Sequence, residues 1–289
     1  MDAWATIAGA LAVPALAALV VAAWLWGPAW RAAWRRARVR QQPFPPAWRE
    51  ILRRRMPAFA RLPADVQLRL KKHAQVLIAE KPFIGCAGLE VTEEMRVLVA
   101  VQASLLLLAR GPAAFDPLRQ VLLYPGAFAV QRSSTDALGL VRDERQVLLG
   151  EAWQQGQVLL SWDSVIAGAA DPGDGHNVVL HEFAHVLDQA HGGANGAPWL
   201  PGPRRRRRWA QVMQTAFANL QRQLAAGMPT LLDPYAATNA AEFFAVACET
   251  FFEKPAEFAL AEPALYAEFK DYFSADPAAW RASHALAGD

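Results

Sequence analysis

Between residues 181 and 185 the chain reads His181, Glu182, Phe183, Ala184, His185. On a helix, positions i and i+4 lie one above the other on the same face, so two imidazoles at this spacing can grip one metal ion. Helix geometry turns Glu182 about 100 degrees away from His181, which lets its carboxylate stand beside the ion and take a proton from water. Val178 to Gln189 contains no helix breaker, so the spacing predicts a helix there. A catalytic zinc site wants three protein ligands and one open position, and the third ligand must come from elsewhere in the chain.

Two residues compete for that place. His191 occupies the third-histidine position of the longer HExxHxxGxxH pattern, but that pattern turns sharply on a glycine where this chain has Asp188. Aspartate enters left-handed backbone less readily than glycine. Glu242 is the better candidate, although Asn239 followed three residues later by Glu242 is also a capping-box pattern, in which the glutamate merely satisfies a backbone N–H. Glu249, seven residues on, shares the Glu242 face, among Phe243, Phe244, Val246, Phe251 and Phe252. Two carboxylates in such an apolar context read poorly as solvated surface, so one is expected to ligate and the other to support. Asp188 is a second candidate for orienting an imidazole, with Glu249 as its rival.

Around these residues the patterning predicts an α+β, mostly helical domain with a small sheet. Leu62 to Glu80 has helical spacing, with His73 expected half-exposed, and Thr92, Glu93 and Glu94 mark a helix start before the apolar run Val97 to Leu108. From Val121 to Trp162 short apolar runs are broken by glycine and proline, which is strand texture, and Gln157 to Trp162 reads as an edge strand able to pair with an extended peptide. After Asp171 the period is helical again. The five arginines Arg204 to Arg208 open a further helix, where cations oppose the helix dipole; they are expected to form a solvated basic face.

The 289 residues are 54% hydrophobic, enough for a sizeable core. Net charge is +2, but residues 1–40 hold five arginines and one aspartate, leaving the rest of the chain at −2. A nearly neutral body lacks the basic balance of a nucleic-acid-binding domain, and no nucleic-acid partner is expected. Cys86 and Cys248 are too few for a disulfide framework. Ala3 to Trp30 is an uncharged run of 28 residues, longer than the roughly 20 that span a bilayer core. Its tryptophans cluster near the ends, and Arg31, Arg35, Arg36, Arg38 and Arg40 follow it. The expectation is one N-terminal transmembrane helix with everything after it in the cytoplasm. The organisation expected is 1–40 anchor and basic flank, 41–60 linker and first helix, and 61–289 catalytic domain.

The stretches FIGCAGLEVT (Phe83 to Thr92), LLYPGAF (Leu122 to Phe128), GEAWQQGQVLLSW (Gly150 to Trp162), HEFAHVLD (His181 to Asp188) and YAATNAAEFFAVACETFF (Tyr235 to Phe252) carry a resemblance. The chain resembles the zinc metallopeptidases typified by Mlc titration factor A, a group whose catalytic domain is similar to that of anthrax lethal factor. The resemblance implies a zincin-like fold of the gluzincin kind and one Zn2+ per chain held by His181, His185 and Glu242. It implies Glu182 as general base and Tyr235 as transition-state donor, and it leaves His191 outside the pattern. The function implied is a zinc-dependent peptidase that hydrolyses peptide bonds by metal-activated water, acting as an aminopeptidase on a peptide or protein substrate. The rival is a protein-binding regulator that sequesters a transcriptional repressor, its zinc site weakly used or not catalytic. With the N-terminal run, the expected location is the bacterial inner membrane, single-pass, with the membrane itself a partner.

Overall fold

The computed structural model describes residues 3–126, 155–190 and 192–280. The chain divides into two compact units, Met1–Pro43 and Phe44–Asp289. The first is one unbroken helix, α1 (Ala3–Gln41). Among the described residues no helix is long and apolar enough to cross a membrane, which overturns the expected single-pass anchor and the inner-membrane location. The physical reason is that the uncharged run does not form a helix of its own: α1 runs on without a break from Ala3 through all five arginines to Gln41.

The second unit is mostly helical. Its first helices are α2 (Pro46–Arg55) and α3 (Ala64–Glu80); His73, expected half-exposed, lies buried on α3. Helix α4 (Glu93–Ala103) starts where Thr92 Oγ1 accepts from Met95 N at 3.3 Å, with Glu93 and Glu94 favouring the positive end of the helix. The apolar run beyond it tightens into a 3-10 turn, Ser104–Leu107.

Three short strands, β1 (Phe83–Gly85), β2 (Gln120–Tyr124) and β3 (Gln157–Ser161), form a parallel sheet in that order. Val121 pairs with Phe83 on one side and Val158 on the other. Val121, Leu123, Val158 and Leu160 are buried, the alternation of a strand with one face on the core. Trp162, read from sequence as the end of the edge strand, instead opens helix α5 (Trp162–Ala170), capped by Ser161.

The HExxH segment is helix α6 (Val178–Gln189), packed on β3, α4 and α5. After α7 (Pro203–Ala225) comes a 3-10 turn, Pro234–Ala237, and then α8 (Ala240–Glu253), the principal partner of α6. Every residue of α8 from Ala241 to Glu253 is buried. A helix so enclosed must be apolar nearly all round, and its phenylalanines and alanines make it so. The exceptions include Glu242, Glu249 and Glu253, whose spacing puts all three carboxylates on one face. Helices α9 (Pro255–Ala261) and α10 (Pro263–Phe273) close the far side, where Phe269 stacks on Trp209 of α7.

The arginine run is only partly free at the start of α7. Arg208 bridges to Asp271 at 2.8 Å and to Glu268, and Arg206 donates to Leu200 O.

Candidate metal centre

His181 and His185 sit one turn apart on α6 because Asn177 stops the preceding chain and starts the helix: its Oδ1 accepts from Leu180 N at 3.0 Å. Helix α8 lies against α6 and brings Glu242 between the two rings. His181 Nε2 is 3.0 Å from Glu242 Oε2, His185 Nε2 is 3.5 Å from the same oxygen, and the two Nε2 atoms are 3.3 Å apart. Among the described residues these three are the group able to hold a metal ion. Donor atoms around a tetrahedral zinc with bonds of about 2.0 to 2.1 Å stand about 3.3 Å from one another, so the triangle fits that ion without rearrangement.

The capping alternative for Glu242 is resolved by the same geometry. Asn239 caps α8 by itself, accepting from Ala241 N at 2.9 Å and Glu242 N at 3.0 Å, and the Glu242 carboxylate is turned to the imidazoles.

Behind the triangle, His181 Nδ1 lies 2.8 Å from Glu249 Oε1. A carboxylate can only accept, so Nδ1 carries the proton and Nε2 can present its lone pair to a metal. Burial alone would disfavour charge on His181, but the hydrogen bonds to Glu242 and Glu249 and the nearby Glu182 raise its pKa to about 10. Burial opposes ionisation of Glu242 too, and the two imidazoles overcome it, holding its carboxyl at about 2. His185, wholly enclosed, is lowered by burial and by the charge of His181. The three donors therefore prefer a cation in their midst, whether a proton or a metal.

Glu182 is buried on the same helix. Tyr235, 39% exposed, belongs to the 3-10 turn ahead of α8, where Asp233 Oδ1 accepts from Tyr235 N at 2.7 Å. Its ring centroid is 6.1 Å from that of His181, on the more open flank of the pair. Asp188 is turned not toward an imidazole but toward the loop after α6, where Oδ2 accepts from Gly196 N at 2.8 Å. His191 lies outside the described residues.

Sequence reasoning missed two residues behind the site. Asn177 also donates its own backbone N–H to Glu249 Oε2 at 2.6 Å, and Nδ2 donates to Glu253 Oε1 at 3.0 Å and to Gln102 Oε1 at 3.0 Å. The signals were present: an asparagine at the N-cap position four residues before His181, and a third glutamate on the Glu242 face.

Comparison with known proteins follows the same lines. The profile described as glucose-regulated metallo-peptidase M90 matches residues 31–274. An uncharacterized protein, slr2042, of Synechocystis sp. is 38% identical over 261 residues, covering 90% of this chain and 94% of that protein. Mlc titration factor A of Enterobacter sp. is 36% identical over 237 residues, covering 80% and 86% of the two chains. The protein of the same name from Klebsiella pneumoniae is 35% identical over 246 residues, covering 83% and 89%.

Proposed function

This chain belongs to the glucose-regulated metallo-peptidase M90 family, and from that premise we propose that it is a zinc-dependent peptidase, an aminopeptidase acting on a peptide or protein substrate. The observation that carries the proposal is the triangle of His181 Nε2, His185 Nε2 and Glu242 Oε2, with sides of 3.0, 3.3 and 3.5 Å, backed by a carboxylate on the far nitrogen of His181. Those three residues would hold one zinc per chain, which when bound supplies the Lewis acidity that peptide hydrolysis needs at neutral pH.

The remaining work falls to side chains. Glu182 takes the proton of the attacking water and returns it to the leaving amine nitrogen. The Tyr235 hydroxyl donates to the oxyanion that develops on the scissile carbonyl, reaching it from beside His181. Glu249 keeps the proton on His181 Nδ1 throughout. An extended substrate adds along β3, whose outer edge has no strand partner among the described residues.

A second reading has one observation in its favour: the relatives are named for titration of Mlc, which describes binding a partner. On that reading a transcriptional repressor is sequestered and the metal centre is weakly used. Glu182→Gln separates the two. A peptidase retains its zinc and loses hydrolysis of a peptide library by about 100- to 10,000-fold, whereas a titrating regulator keeps its function in the cell. Tyr235→Phe, with the ring kept, should lower turnover on the order of 100- to 1,000-fold. Near-normal turnover in Tyr235→Phe removes the tyrosine from the mechanism.

A further inference from the structure

We infer that Asn177 is a positioning residue of the metal centre: its amide, anchored on three other helices, aims its backbone N–H at Glu249 and so holds Glu249 against His181. The inference rests on the metal-binding reading above and names the residue behind its supporting carboxylate.

An N-cap requires only an acceptor atom, and serine, threonine or aspartate at residue 177 would provide one. The Asn177 side chain does more. Nδ2 has Gln102 Oε1 and Glu253 Oε1 at 3.0 Å each, with Gly168 O at 3.4 Å, so the donor half of the amide is held by α4, α8 and the end of α5. Gln102 is itself fixed, because its Nε2 donates to Leu98 O at 3.1 Å and to Val165 O at 3.4 Å, leaving Oε1 to face Asn177. Glu253 is 2% exposed and also accepts from Gly175 N at 3.2 Å. Burying that carboxyl is unfavourable, pushing its pKa up to about 8, and a hydrophobic residue would fill α8 with less penalty. The polar cluster thus serves something other than packing.

What it serves follows from the next link. With its amide held, Asn177 is fixed in an extended conformation (φ −141°, ψ 98°), and its N–H meets Glu249 Oε2 at 2.6 Å. The other oxygen of Glu249 is then committed to His181 Nδ1 at 2.8 Å. One uninterrupted line of hydrogen bonds runs from Gln102 and Glu253 through Asn177 and Glu249 to the ligand. Without it, Glu249 has one lone acceptor contact and is free to rotate away from the imidazole.

The test is zinc affinity of the full chain, measured by competition with a chelator, on variants shown by circular dichroism to be folded. Asn177→Ser and Asn177→Asp both keep a capping oxygen and remove the Nδ2 donor. Each should weaken zinc binding about 10-fold, the low end of the range for partners behind a metal ligand. In a Glu249→Ala background the same substitutions should change affinity less than about twofold, because the line is already cut downstream. Gln102→Met, which removes one anchor and leaves Asn177 intact, should weaken zinc binding in the same direction by a smaller factor. It carries the test if both Asn177 variants misfold. Unchanged affinity in the folded variants, or an equal loss with Glu249 absent, overturns the inference. A parent chain that binds no zinc overturns the metallopeptidase reading itself, an outcome distinct from a zinc-binding parent whose variants do not move.

Discussion

At its N-terminal end the HExxH helix is held by one amide side chain with partners on three other helices, whereas at its C-terminal end a carboxylate grips only the backbone of the following loop. The first arrangement is a dense polar cluster in which each group near Asn177 has a designated acceptor or donor. The second is sparse. Asp188 Oδ2 accepts from Gly196 N, Gly196 O accepts from Trp209 Nε1 at 3.0 Å, and Asp188 Oδ1 is buried with no hydrogen-bond partner among the described residues. What keeps the second end in register is closeness of backbones: Gly196 has φ +73°, and a Cβ there would lie 2.4 Å from Ala240 O, at the start of the helix carrying Glu242. One end is specified by directional bonds, the other by the absence of a side chain. Both hold α6 and α8 together across the same three ligand atoms.

The largest expected effect breaks the second end. Gly196→Ala combines a left-handed conformation unfavourable to alanine with a clash against Ala240, together about 2 to 5 kcal/mol of lost stability. Urea denaturation should record that loss, and the purified variant should carry less zinc because Ala240 is displaced just before Glu242. A variant as stable and as zinc-loaded as the parent shows that the close approach holds nothing in place.

Next comes a contrast between the two acids. Glu249→Gln should weaken zinc binding 10- to 100-fold, about 1.4 to 2.7 kcal/mol, because the far nitrogen of His181 loses its carboxylate. Asp188→Asn keeps an acceptor for Gly196 N and should change zinc affinity by less than about threefold. Equal losses would mean that Asp188 reaches the imidazoles after all and that the ends are not distinct.

The smallest effect sharpens the comparison through pH. Burial raises the Asp188 carboxyl from 3.8 to about 6 against the hydrogen bonds from Gly196, Ala197 and Asn195. Its contribution to stability is therefore full below about pH 4 and is lost as pH rises toward 6. Burial raises Glu253 from 4.5 to about 8, with Asp174 adding to the rise, so its contribution is lost over the longer window up to pH 8. In metal-free protein, Asp188→Asn should flatten the stability profile between pH 4 and 6, and Glu253→Gln should flatten it through to pH 8. Identical windows for the two variants would show that the ends share one environment.

The same contrast explains what the sequence makes legible. His181, Glu182 and His185 are readable because their spacing lies within a single helix and needs no tertiary contact. Glu242 is readable only as one of two roles, since Asn239 offers the same local pattern to a cap and to a ligand; packing against α6 turns its carboxylate to the imidazoles. Asp188 and Glu249 are equally placed to support an imidazole in sequence, and only the direction of the loop at Gly196 separates them. Asn177 and Glu253 are hidden because their partners lie on α4, α5 and α8, at sequence separations from 9 to 76. Strands β2 and β3 overlap the segment read as strand texture, while β1 (Phe83–Gly85) lies outside it and the parallel order depends on crossovers that texture does not encode. The N-terminal run misleads because a count of uncharged residues does not say where the helix ends, and α1 continues through five arginines.

The enclosure of α8 from Ala241 to Glu253 also sets how the site comes apart. Amide protons of a helix buried from its second residue to its last exchange with solvent only when the whole domain opens, so those of Phe243 to Phe252 belong with the slowest among the described residues. The Tyr235 side chain, 39% exposed on a turn whose Ala236 is buried, can change rotamer without the domain opening. The Glu242 carboxylate thus parts from the two imidazoles in the last cooperative step of unfolding, while the tyrosine ring can move away and return many times with the three groups still together. On the peptidase reading, substrate entry and product departure need movement only on the tyrosine side.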